Sequence, residues 1–246
     1  MATSHTVPAS TFLNQRDRQP ELMDQPGLNE AEHRNALRGI QRVNWISGGV
    51  PALWRELRSL ARFGTPDRPL RVLDVACGGG DVVVRLAWHA QHDGLPIRFE
   101  GCDISETALQ VARSAARSQP DFDLRFFRHD VLIAPFPEEY DVVMCSLFLH
   151  HLEETDAILL MRKMAMAARR AILIDDLLRT RLGYALCWVG CRILTRSQMV
   201  HTDGPLSVRA AFTVPELRDL AAGAGLQDIY LQKHWPQRFL LSWNRP

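Results

Sequence analysis

The chain carries no Cys-x-x-Cys pair, no apolar run of membrane-spanning length and almost no net charge. Its five cysteines (Cys77, Cys102, Cys145, Cys187 and Cys191) are odd in number, and the first three sit in or beside apolar, strand-like runs. That usage argues against a disulfide-framed secreted domain and points to a reducing cytoplasm, where such cysteines act as small hydrophobes. The nearest candidate for a long apolar stretch, Leu182 to Val189, is short and followed by charges, which argues against integral membrane association. Residues 1–20 lack the apolar centre of a signal peptide. They are polar and contain proline, so mobility is expected to about Gln19. A formal net charge of +1 removes the global electrostatic case for nucleic acid. No internal repeat or low-complexity tract stands out, and nothing in the composition sets an oligomeric state. What is present is an ordinary globular balance, 46% hydrophobic and 23% charged over 246 residues. That is room for one α/β domain with an added cap.

The periodicity divides residues 21–246 of this single domain into a helical cap over 21–64 and an α/β core over 70–246, joined by the turn-rich linker Gly64 to Pro69. In the cap, Asn29 and Glu32 form a candidate capping box, and Leu37, Ile40 and Val43 recur at helical spacing. Strand and helix patterns then alternate, the mark of a parallel sheet. Strands are predicted at Arg71–Ala76, Arg98–Asp103, Leu124–His129, Tyr140–Ser146 and Arg170–Asp175. An insertion over 177–212 reads as a lid. Two closing β-like runs, Gln227–His234 and Arg238–Trp243, are close enough to form a terminal antiparallel hairpin.

The most informative stretch is VLDVACGGGDVVV, Val72 to Val84. It reads as a buried strand, a glycine turn and the start of a helix. A dinucleotide turn has the form G-x-G-x-x-G, but Val83 stands where the last glycine belongs. The pattern here is D-x-x-x-G-x-G, with Asp74 inside the strand. A carboxylate beside the loop repels pyrophosphate and suits a ligand that carries a cation. Asp103 lies some twenty residues past the loop, where an acid can accept both ribose hydroxyls or can cap the helix beginning near Ser105. His150 and His151 enter the loop after the fourth strand, at the carboxyl ends where open α/β sheets bind ligands. Either imidazole is suited to removing a proton from a phenol or enol, or to packing and capping. A metal pair is disfavoured, because adjacent side chains diverge and no third ligand is evident. Asp175 and Asp176 read as the end of a strand more than as substrate contacts.

These motifs, in this order from Arg71 onward, resemble the class I S-adenosylmethionine-dependent methyltransferases. The resemblance implies a Rossmann-like, seven-stranded, mostly parallel sheet with an antiparallel terminal hairpin and S-adenosylmethionine as cofactor. It assigns the glycine loop (Ala76, Gly78, Gly80) with Asp74 to the cofactor's amino-acid end. Asp103 takes the ribose, Ile104 one face of the adenine, Asp130 the adenine amino group and Val131 a ring nitrogen. Ser146 and Leu147 pass near the sulfonium. The segments beginning at Glu21 and His201 are similar to a narrower bacterial group, which resembles the ubiquinone/menaquinone methyltransferases and often accompanies type III polyketide synthases. That implies a small aromatic, quinol or polyketide-derived acceptor; the sequence does not fix O- against C-methylation, and O-methylation is slightly favoured. Further candidate substrate or lid residues are Trp45 and Trp188, each also suited to an ordinary core role, and His201 and Arg209, in a polar stretch expected to be a loop over the strand ends. The alternatives are a nicotinamide-dependent oxidoreductase, against which Val83 and Asp74 argue, and a non-catalytic binding protein on the same fold.

Overall fold

The computed structural model describes residues 13–24, 30–46, 48–119 and 121–246. Asn29, the candidate cap, lies outside them. Two helices precede the sheet, α1 (Glu30–Ile46) and α2 (Gly49–Leu60). The alternating part runs β1 (Leu70–Val75), α3 (Asp81–His92), β2 (Ile97–Asp103), α4 (Glu106–Arg117), β3 (Leu124–Arg128), β4 (Tyr140–Ser146), α5 (Glu154–Ala167) and β5 (Ala168–Leu177). Then come α6 (Arg181–Leu194), α7 (Gln198–Ala210), α8 (Val214–Gly223), β6 (Tyr230–His234) and β7 (Arg238–Asn244).

The seven strands form one sheet in the order β3-β2-β1-β4-β5-β7-β6. The first five are parallel, β7 runs antiparallel to β5, and β6 pairs antiparallel with β7. Alternation along the strands decides which helix covers which face. Leu73, Val75, Val143, Cys145, Ile172 and Ile174 face α5 and α8 through Leu160, Met164, Leu217 and Leu220. Val72, Val142, Met144 and Leu173 face the other way, onto Leu53 and Leu57 of α2 and Val83 and Leu86 of α3. Both faces are covered, so the central strands are apolar throughout, as parallel strands must be. The chain reverses direction across the sheet between β1 and β4, and a crevice opens there outside the carboxyl ends.

From Leu13 on, the segment expected to be mobile makes defined contacts. Arg16 donates to the carbonyls of His150 (2.9 Å), Leu152 (2.6 Å) and Ala210 (2.6 Å), and its guanidinium lies over the Phe212 ring. It thereby satisfies carbonyls at the 3-10 turn after β4 that have no partner within the turn. Residues 1–12 lie outside the described residues. The stretch around His201 and Arg209 is not a loop but helix α7, capped by Ser197. Two of its polar residues, Asp203 and Ser207, are buried, and the Asp203 carboxylate accepts the N–H groups of Leu22 (2.9 Å) and Met23 (3.1 Å). Polarity that reads as exposure is here the seam between α7 and the N-terminal strap, residues 13–24.

Candidate functional site

All five parallel strands end on one cavity of about 760 Å³, roofed by α1, α6, α7 and the strap. Its first end is built by β1 and β2. Asp74 is buried, and its Oδ1 has no hydrogen-bond partner among the described residues. Burial, reinforced by the charges of Asp81 and Asp103, pushes its carboxyl well above the ordinary range. The backbone then passes through Ala76 and Gly78, both at positive φ (55° and 52°). A side chain at Gly78 would meet no protein atom within 4 Å, so this turn faces open space. Asp103 ties the two strand tips together: Oδ2 accepts the Gly78 N–H and Oδ1 the Ser105 N–H, each at 2.8 Å. The cap of α4 is Ser105 itself, whose Oγ accepts from Ala108. Asp103 lines the cavity while making these contacts. Ile104, largely exposed, and Val131 form walls. Asp130 turns the chain by accepting the N–H groups of Leu132 (3.0 Å) and Ile133 (3.2 Å).

Gly80, assigned to cofactor contact from the sequence, is not part of the cavity wall. It sits at φ 75° at the start of α3, where a Cβ would come within 2.9 Å of the Ala112 Cβ and 3.0 Å of the Phe126 ring. Its role is close packing of helix on sheet. Gly80→Ala is therefore expected to destabilise the fold by about 1–3 kcal/mol, from overpacking and a left-handed alanine. Urea denaturation checks this; an unchanged midpoint would contradict the packing role.

At the cavity's middle, Leu147 is held at φ 54° with its N–H on the Asp175 carbonyl (2.9 Å). A non-glycine residue in that conformation stores strain of the kind found at functional sites. The Ser146 hydroxyl bridges Asp175 Oδ2 (3.2 Å) and Arg238 (3.1 Å). Asp175 is fully buried between Arg238 and His234, whose Nε2 is 2.7 Å from Oδ1.

The second end holds the histidines. His150 is buried, with Nδ1 2.7 Å from Asp176 Oδ1 and its backbone N–H 3.1 Å from Oδ2. Burial opposes ionisation of Asp176, but the charge and hydrogen bond of His150 and the Leu177 N–H hold its carboxyl below the usual range. In the neutral ring, a proton on Nδ1 donated to that carboxylate leaves the lone pair on Nε2. His151 lies against His150, ring centroids 4.2 Å apart. Glu21 enters from the strap: Oε1 is 3.8 Å from His150 Nε2 and 3.9 Å from His151 Nδ1, and accepts a 2.5 Å hydrogen bond from Ser207. The expected divergence of adjacent histidines does not occur, and a third donor is present.

Trp45, Trp188, His201 and Arg209, the candidate substrate or lid residues, lie elsewhere. Trp45 is 69% exposed under Arg85, away from the cavity. Trp188 packs on Arg192 and, with His201 and Arg209, lines a separate hollow of about 280 Å³ between α6 and α7. His201 is bonded to the Thr195 carbonyl (2.8 Å) and Arg209 pairs with Asp17 of the strap. None of the four side chains lines the crevice. The sequence reading missed Glu21, Asp203, Ser207 and Arg238. Asp175 and Asp176, set in the apolar run AILIDDLL, carried the clearest signal: two acids inside a buried strand need partners.

A family model described as a methyltransferase domain matches residues 72–170, from β1 into β5. The chain is 29% identical over 159 residues to a ubiquinone biosynthesis O-methyltransferase of Thiobacillus denitrificans, covering 64% of each. It is 30% identical over 132 residues to a demethylmenaquinone methyltransferase of Deinococcus radiodurans, covering 53% of this chain and 52% of that one. The matched part thus spans less than two thirds of either relative's own length. Among solved structures it is similar to a magnesium protoporphyrin IX methyltransferase from Synechocystis PCC 6803, crystallised with bound SAH. The TM-score is 0.57 at 17% identity, over 91% of both chains, a likeness of fold. Residues 72–170, which hold the D-x-x-x-G-x-G turn and the acid at the tip of β2, thus match a methyltransferase domain, and the seven-stranded sheet around them has the fold of a solved methyltransferase.

Proposed function

We propose that the protein transfers a methyl group from S-adenosylmethionine to a hydroxyl oxygen of a small aromatic, quinol or polyketide-derived acceptor. The observation that carries this reading is the two-ended cavity. One end presents an orphaned buried carboxylate and an open glycine turn, the other a pair of imidazoles with carboxylates behind them. The relatives named for ubiquinone and menaquinone biosynthesis support an aromatic acceptor.

The residues present fit the cofactor. Asp74 Oδ1 lacks a donor, and the ammonium of an amino-acid moiety supplies one. Gly78 leaves the space beside it clear. Asp103, on the cavity wall at the tip of β2, is the residue for the ribose hydroxyls, and Ile104, Asp130 and Val131 are the adenine contacts. Ser146 and Leu147 lie between the two ends. When bound, S-adenosylmethionine supplies a methyl carbon on a sulfonium leaving group. The chain's own task is then alignment and exclusion of water, which in favourable cases contributes roughly 7–11 kcal/mol. The strap and α6–α7 close over the crevice, and His150 and His151 gather the acceptor hydroxyl where its proton must leave.

A labelled-methyl assay over phenols, quinols and resorcinols tests the proposal. Transfer to oxygen is expected, with the product cleaved by reagents specific for aryl methyl ethers. Label found only on ring carbon would replace O-methylation by C-methylation. No transfer to any acceptor would remove the acceptor class.

A further inference from the structure

A base needs an open approach to its lone pair, but at the second end of the cavity three donors converge. His150 Nε2, His151 Nδ1 and a Glu21 carboxylate oxygen lie within 4.8 Å of one another. We propose that Glu21, His150 and His151 form a binding site for one divalent transition-metal ion, which holds the acceptor's oxygen. The inference rests on the methyltransferase reading for the acceptor, but the site itself stands on geometry alone.

Two imidazoles and one carboxylate are a donor set for zinc or a neighbouring first-row ion, and unlike the all-oxygen sets that magnesium and calcium take. Bonds of about 2.0–2.2 Å at tetrahedral angles place donors roughly 3.4 Å apart. The Glu21 oxygen stands 3.8 Å and 3.9 Å from the two nitrogens, so each of these gaps must close by about half an ångström, and the two nitrogens, within 4.8 Å of each other, by up to about 1.4 Å. Turning the glutamate side chain and the His151 ring supplies that movement. The outer contacts are those of a metal site. The Asp176 carboxylate sits on Nδ1 of His150, which fixes the ring and leaves Nε2 to bind. The Ser207 hydroxyl steadies Glu21, and the Asp203 carboxylate holds the strap by the N–H groups of Leu22 and Met23. Three protein ligands leave a position open toward the cavity. An acceptor hydroxyl bound there breaks its O–H bond, passes the proton to water and remains as a metal-held oxyanion. The histidines then act as ligands, and the ion does what a base would otherwise do.

The untagged chain, stripped with a chelator, is titrated with Zn²⁺ and separately with Co²⁺. The expected result is one Zn²⁺ per chain by elemental analysis, and a visible Co²⁺ absorption of a four- or five-coordinate ion with imidazole nitrogen. Glu21→Gln is expected to lose the ion, and Asp176→Asn to bind it about 10–100-fold more weakly. S-adenosylhomocysteine binding, read by calorimetry, is expected to persist in both variants and shows that they are folded. Overturning results are a wild-type chain that takes up neither metal, or Glu21→Gln binding Zn²⁺ as tightly as the wild type. Stoichiometric Zn²⁺ uptake by a chain that fails to bind S-adenosylhomocysteine would support the metal site and sink the methyltransferase reading.

Discussion

Gly78→Val is expected to abolish measurable binding of S-adenosylmethionine while leaving a folded chain. Two effects act at once. At φ 52° a β-branched residue is in a conformation it rarely adopts, a strain of about 1–3 kcal/mol. That strain falls on a turn whose N–H must still reach Asp103 Oδ2, the contact that joins the tips of β1 and β2. The added side chain also projects into the open space that the glycine leaves, beside Asp74. A loss of about 100-fold corresponds to roughly 2.7 kcal/mol, and the combined effect is expected to exceed it. Gly78→Ala carries the smaller strain and one methyl group, so it should bind weakly rather than not at all. Calorimetry with S-adenosylhomocysteine reads the series, and circular dichroism checks the fold. Wild-type affinity in Gly78→Val would show that the glycine turn is not where the cofactor sits.

The parts of the molecule that follow local rules were legible in the sequence. Parallel strands buried on both faces leave continuous apolar runs, and β4 lies at Tyr140–Ser146 as its run predicts. The spacing of Asp74, Gly78 and Asp103 placed all three on one cavity wall. What escaped depends on contacts between distant segments. Glu21 carries no local mark, and it reaches the histidines only because Arg16 and Asp203 dock the strap. Adjacent side chains diverge in an extended strand, but residues 149–151 form a 3-10 turn, and there the two imidazoles lie against each other. Trp45 and Trp188 were candidate ligand contacts by size and chemistry, and packing under arginines took them elsewhere. Gly80 shares a motif with Gly78 but serves the helix–sheet contact. Spacing identifies a turn; which of its glycines meets a ligand is decided by what stands opposite each one.

The division of labour between the two ends predicts a split in the kinetics of His150→Ala. Turnover is expected to fall by about 10²–10⁴-fold, the range for losing the group that handles the acceptor's proton. S-adenosylhomocysteine affinity is expected to stay near wild type, because the carboxylates and glycine turn of the first end do not touch this ring. The variant should remain folded although His150 is buried. Asp176 keeps the backbone N–H of residue 150 on Oδ2 and the Leu177 N–H on Oδ1, so the carboxylate is not left without donors. The cost of the missing imidazole is then about 1–3 kcal/mol, which a domain of about 5–15 kcal/mol survives. His151→Ala should show the same split. Single-turnover rates at saturating donor, set beside the calorimetric constants, decide the matter. Equal losses in turnover and in donor affinity would mean that the histidines shape the whole crevice instead of serving its acceptor end. Undiminished turnover would place the acceptor's oxygen elsewhere in the cavity.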